Sequence, residues 1–265
     1  MNIKKFCFLT LSVATLSIWS NLSAKEITKS HIVFEDNFEQ TDRIPDPAKW
    51  ELCEKSHPNW CRYNSESYDQ AYVEDGKLIL KAEKVDGEYK TGAIRMLNDL
   101  GFEFCTVEVT AKFDRMGHGQ WPGIWMMPAK PLYGGWPDSG EIDIMEHLGA
   151  DDDYWSTVHS KYTYTLNHTE DPLSTCKIPF DKSKWNTYGV EWNENEVNFY
   201  LNGEKTFSYP NLHLSNEAET LQWPFDTTFY LILNIALGGE GTWPGYIEES
   251  ALPGIMYVDK VIVSK

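Results

Sequence analysis

Beyond the first two dozen residues, no long segment of this chain carries apolar residues at helical spacing. Short runs of β-branched and aromatic residues recur instead, several of them alternating with polar ones. They include "GKLILKAEK" (76–84), "CTVEVTAKF" (105–113), "FYLILNIAL" (229–237) and "MYVDKVIVSK" (256–265). A strand turns successive side chains to opposite faces, so such alternation suits a sheet with one buried face. The stretch "YGVEWNENEVNFYLNGEKTF" (188–207) reads as strands joined by turns, with Asn202–Gly203 a hairpin signal. No internal repeat, linker or shift in composition divides residues 25–265. The pattern predicts one all-β domain, a sandwich or jelly roll.

The N-terminus reads differently. Lys4 and Lys5 precede a mostly apolar run, Phe6 to Trp19, which is too short for a membrane span. "NLSAKE" follows and offers a small-residue cleavage site after Ala24. Residues 1–24 are therefore expected to be a signal peptide, and the mature chain to be secreted or periplasmic, soluble and monomeric. Losing Lys4 and Lys5 moves the formal charge from -17 to -19. So acidic a chain argues against nucleic acid and anionic membranes as partners and is compatible with a neutral substrate. Four cysteines remain: Cys53, Cys61, Cys105 and Cys176. An even count in an exported chain permits two disulfides in three pairings, among which Cys53–Cys61 closes a small loop and is favoured.

The chain holds 11 tryptophans, many beside glycine or proline: "GQWPGIWMMP", "GGWPDSG", "GTWPGY". Indole rings in such loops fit flat platforms for sugar rings, which present an apolar face of C–H groups.

The chemistry concentrates in "WPDSGEIDIMEHLGADDD" (136–153). Glu141 and Asp143 are two apart and share a strand face. Glu146 by strict alternation points the other way, and one extra residue, a β-bulge with Met145 the natural candidate, restores it to the same face. The Cα atoms of Glu141 and Glu146 then stand about 13 Å apart. Side chains leaning inward bring the carboxyls towards the roughly 5–5.5 Å used by retaining glycosidases. Three carboxyls this close cannot all ionise cheaply, so at least one is expected to have a raised pKa. A nucleophile and a general acid need such a separation.

At these residues the chain resembles glycoside hydrolase family 16, the laminarinase-like endo-β-glucanases. "EIDIME" (141–146) matches the motif E-x-D-x-x-E, the bulged form typical of that branch. "GHGQWPGIWMMP", "YGVEW", "FYLNG", "LILNIALGGEGTWPG", "MYVDKVIV", "DGKLILKAEK" and "TGAIRM" extend the resemblance over nearly all of residues 32–265. It implies a β-jelly roll of two curved antiparallel sheets with an open concave substrate cleft. It implies Glu141 as nucleophile, Glu146 as acid/base and Asp143 as the assisting carboxylate. Trp121, Trp125 and Trp136 look like sugar platforms, and His159, Asn234, Trp243 and Arg95 like cleft residues. The reaction needs no catalytic cofactor. Many members bind one structural calcium ion, for which Glu35 and Asp259 stand at matching positions. The implied substrate is a β-1,3-glucan or mixed-linkage β-1,3/1,4-glucan. Related branches act on algal galactans, keratan-type chains or mucin O-glycans, and a silent carbohydrate-binding module is the reading of another class. Two departures bear on the sugar. Gln70 stands where many laminarinases carry a substrate-contacting Asn, and residues 160–180 match no laminarinase pattern and suggest a long loop on the cleft rim.

Overall fold

The computed structural model describes residues 31–265. The expected signal peptide and its cleavage site lie outside the described residues. Two antiparallel sheets make up the fold. The first has nine strands, in the order Glu204–Pro210, Glu196–Leu201, Asn186–Trp192, Thr106–Asp114, Gly254–Ser264, Lys77–Val85, Ala71–Glu74. Ile32–Asp36 pairs with the second half of Gly254–Ser264, and Glu88–Thr91 with the end of Lys77–Val85. The second has seven: Thr175–Pro179, Asp153–His159, Glu141–His147, Gln120–Pro128, Phe229–Leu237, Ala93–Met96, Trp50–Leu52. Among the described residues, no helix is long and apolar enough to cross a membrane.

The alternation in the sequence decides which face each strand buries. Thr106–Asp114 buries every second residue, and Val107, Val109 and Ala111 join the core. Opposite them, the second sheet contributes Ile124, Met126, Ile142, Leu231, Leu233 and Ile235. Leu231, Leu233 and Ile235 are the odd-phase positions of Phe229–Leu237, a strand that is apolar on both faces. Its other face, through Ile232, belongs to a second small cluster with Cys53, Ala93 and Trp125 on the far side of the sheet from the core. The Asn202–Gly203 hairpin forms as expected. Leu201 pairs with Glu204, and both turn residues have positive φ, 53° and 83°, as a type I′ turn requires.

The expected Cys53–Cys61 disulfide is a correction: all four described thiols are free. Cys61 sits on the 3₁₀ turn Asn59–Cys61, with its sulfur on the carbonyl of Pro58 at 3.5 Å. Cys53 is packed into the small apolar cluster, where burial pushes its thiol up to about 12.

Candidate active site

The strand Glu141–His147 carries the acids, and its register shows how. On one side Ile124 pairs with Met145 and Trp125 with Asp143, which leaves Ile144 as the extra residue. On the other side Trp155 pairs with Glu146 and Thr157 with Asp143, so Ser156 alone faces Ile144 and Met145. Both of these apolar residues turn into the core. The bulge is thus the Ile144–Met145 pair, and it returns Glu146 to the face of Glu141 and Asp143. Ser156 donates its hydroxyl to the Ile144 carbonyl at 2.8 Å and satisfies an acceptor that the broken ladder leaves over.

Each glutamate is met by an indole. The Trp136 N–H donates to Glu141 Oε2, and the Trp121 N–H to Glu146 Oε1 at 3.1 Å. His159 lies opposite Glu141 in register, with Nε2 3.3 Å from Asp143 Oδ2. Asp143 is only 1 % exposed. Gly123 pairs with both Glu146 and Asn234. A Cβ there would stand 3.0 Å from Asn234 Oδ1, so the absent side chain leaves room beside Glu146.

Withdrawal from water raises all three acids, and their mutual repulsion adds to it. Glu141 is carried to about 8, by burial first and by the Asp143 charge second. Glu146 is carried to about 7 by burial and the Glu141 charge. Asp143 is raised well above the usual carboxylate range, again by burial first and then by Glu146. The indole N–H groups pull the other way, because they bond best to the charged form. The cluster therefore holds protons at neutral pH and titrates as a unit.

The remaining expected residues divide. Trp136 and Trp243 are about half exposed, and Trp243 meets Trp121 edge-on at 5.5 Å. Trp125 is not an open platform. It is 8 % exposed, its N–H is taken by Asn234 Oδ1 at 2.7 Å, and the Trp60 ring covers it edge-on at 4.9 Å. Asn234 is correspondingly buried and supports that ring. Arg95 lies on the cleft face three strands from the acids, paired with Glu51 at 2.8 Å and beside the Tyr230 ring. Gln70 is buried and donates to Glu83 at 2.9 Å, so it is not poised to contact substrate.

Glu35 and Asp259 lie on neighbouring strands. Glu35 pairs with Ile262, three residues from Asp259 and so roughly 10 Å away along the strand. Asp259 is held by Lys77 at 2.9 Å. The Asp259 carboxylate is thus already engaged by a cation, and Glu35 is exposed on the neighbouring strand. Among the described residues, the metal-capable cluster is Glu141, Asp143 and His159, with ligand atoms within 4.8 Å of one another. Its imidazole departs from the all-oxygen set that calcium favours.

Three contributors escaped the sequence reading. Tyr164 stands on the single π-helical turn Lys161–Thr165, capped at its start by Ser160 and Thr163. It is 55 % exposed and meets Trp136 edge-on at 4.6 Å and His159 at 5.8 Å. The unmatched segment thus supplies part of the wall over Glu141. Trp155 pairs with Glu146 on the cleft face, and its buried N–H has no protein partner. Trp60 is the third. Period-two alternation beside "EIDIME" could have found Trp155; nothing local marks the other two.

The model for "Glycosyl hydrolases family 16" matches residues 59–251. A keratan-sulfate endo-1,4-beta-galactosidase from Sphingobacterium multivorum is 33% identical over 92% of this chain and 57% of its own length. A beta-glucanase from Rhodothermus marinus is also 33% identical, over 88% of this chain and 84% of its own. This chain therefore spans little more than half of one such relative and most of the other. A solved structure described with endo-acting O-glycanases of the human gut microbiota that initiate mucin breakdown superposes with a TM-score of 0.80. It is 36% identical, covering 88% of this chain and 99% of that one.

Proposed function

Since the chain belongs to glycosyl hydrolases family 16, we propose that it is an exported, endo-acting β-glycanase that cleaves β-1,3- or mixed-linkage β-1,3/1,4-glucan with retention. The observation that carries the reading is the Ile144–Met145 bulge, which puts Glu141, Asp143 and Glu146 on one face of one strand. Two carboxyls projecting from the same strand are drawn together. They leave less room for the water that an inverting mechanism holds between them.

In this mechanism Glu141 attacks the anomeric carbon, and the Trp136 N–H helps hold its carboxylate. Glu146, raised to about 7, enters protonated and gives its proton to the departing oxygen. It then accepts a proton from water as the glycosyl-enzyme is hydrolysed. Asp143 is bonded to Glu141 and too buried to ionise readily. In the resting site the hydrogen bond between them leaves the shared proton on Glu141, and passing that proton to Asp143 is what frees Glu141 to attack as the anion.

The relative of named glucanase activity, which this chain matches over most of that protein's length, supports the glucan reading. The two galactose- and mucin-directed relatives support a second, an endo-β-galactosidase acting on galactans, keratan-type chains or O-glycans. A silent binding module has no use for three mutually repelling carboxyls away from water. The deciding assay incubates the mature chain with laminarin, lichenan, agar, porphyran, keratan sulfate and mucin. Product length and the anomer first formed are followed by NMR. Internal cuts in laminarin or lichenan with the β-anomer first are expected. Cleavage of only the galactose-containing chains would install the second reading, and α-anomers would overturn retention.

A further inference from the structure

Between the edge strand Trp50–Leu52 and the turn Asn59–Cys61, the chain makes a surface pocket of about 520 Å³, lined by Lys55, Ser56, His57 and Arg62. That lining carries two fixed cations and no carboxylate. Several cations elsewhere are engaged, as Lys49 is with Asp36, Lys84 with Glu249 and Arg95 with Glu51. Lys55 and Arg62 have no ion-pair partner among the described residues. Arg62 Nη2 donates to the neutral Asn59 Oδ1. The nearest acids in sequence, Glu51, Glu54 and Glu66, are outside the pocket lining.

The pocket adjoins the cleft. Trp60, between its lining residues, is the ring that covers Trp125. Trp125 in turn pairs with Asp143. Arg62 Nη1 would stand 3.7 Å from a Cβ on Gly239, in the loop that leaves the cleft strand Phe229–Leu237. That loop goes on to Trp243, which meets Trp121, the partner of Glu146. Two aromatic walls therefore lead from the acids to these cations.

We infer that Lys55, His57 and Arg62 form a subsite for an anionic substituent of the glycan, a sulfate ester or a carboxylate. The inference rests on the glycanase reading of the cleft. A guanidinium fork and an ammonium suit either oxyanion, and bonds to charged oxygens are about twice as strong as neutral ones. A neutral glucan crosses the cleft without using the pocket, whereas a substituted chain gains an anchor away from the scissile bond.

The test uses the Glu141→Gln chain, so that binding is read without turnover, and calorimetry on matched oligosaccharides. One pair is keratan-type chains with and without sulfate; the other is O-glycan chains with and without a terminal sialic acid. At least one charged chain is expected to bind about tenfold more tightly than its neutral counterpart. Lys55→Gln with Arg62→Gln should bring that ratio close to one without moving the melting temperature. The sulfate pair and the sialate pair show which anion is taken. Equal binding within both pairs, a preference that survives the double substitution, or no binding of any charged chain would overturn the subsite. Hydrolysis of laminarin by the unsubstituted chain, run alongside, reports on the glycanase reading separately.

Discussion

Trp136 and Trp125 face the same cleft, yet one is 49 % exposed and the other 8 %. Trp136 enters from the loop before the acid strand, touches Glu141 through its N–H and leaves its ring open beside Tyr164. Trp125 lies within a strand, and three neighbours claim it: Asn234 takes the N–H, Trp60 covers the ring and Ile232 packs alongside. The difference is between a rim and a floor. Rim groups touch a carboxyl of the acid strand with one side and leave the other open, where a substrate of the proposed reaction would lie. Floor groups hold the sheet that sets the acids at their spacing. Removing a rim group should therefore change chemistry or affinity, and removing a floor group should change stability.

The largest effect belongs to the acids. Glu141→Gln and Glu146→Gln are each expected to lower kcat by at least about 10³-fold, within the range that positioned acids, bases and nucleophiles supply. Melting temperature should hold or rise, because an amide relieves the repulsion among three crowded carboxyls. Azide should restore turnover to a small substitution at Glu141 and invert the product. Wild-type kcat in either variant would remove the site from this strand altogether.

On the floor, Trp125→Ala is expected to cost about 3–5 kcal/mol of stability, as large aromatic truncations in packed interiors do. It also strips Asn234 of its donor. Urea unfolding measures the loss. A stable Trp125→Ala chain with weakened substrate binding would make Trp125 a rim residue after all. On the rim, Trp136→Ala should weaken oligosaccharide binding by roughly 1–3 kcal/mol, taking stacking on nucleobases as the guide. Its melting temperature should hardly change. The two variants, assayed for both quantities, cross over if the distinction is right.

The same distinction decides what the sequence made legible. Period-two alternation, Asn202–Gly203 and "EIDIME" are local, and each is realised: the strands bury the expected faces, the hairpin forms and the acids share a side. The need for a bulge followed from residue count alone, although two apolar residues rather than Met145 by itself make it. What escaped comes from distant segments. Trp125 looks like Trp121 in sequence, and only Trp60, brought over by the segment 53–62, buries it. Tyr164 reaches the site from a turn whose own sequence is unremarkable for catalysis. Gln70 turned inward because Glu83, on the neighbouring strand, offers it a partner. Cys53 and Cys61 are close in sequence, but a disulfide needs directions that spacing does not supply.

The smallest expected effect separates the two indole N–H groups from the rings that carry them. Trp121→Phe keeps an aromatic ring against Trp243 and removes the donor from Glu146 Oε1. A donor to a carboxylate favours the charged form, so its loss raises the Glu146 pKa above about 7. Glu146 must be protonated to release the leaving group, and the alkaline limb of kcat/KM reports its ionisation in the free enzyme. The limb should therefore move to higher pH, by up to about one unit, since a unit corresponds to 1.36 kcal/mol and one partly solvated N–H bond contributes no more. Stability should change little. Trp136→Phe is the control: it removes the donor from Glu141 instead, which favours the protonated nucleophile and moves the acid limb up. A Trp121→Phe profile that shifts on its acid side, or not at all, would mean that Trp121 acts on Glu146 only as a wall.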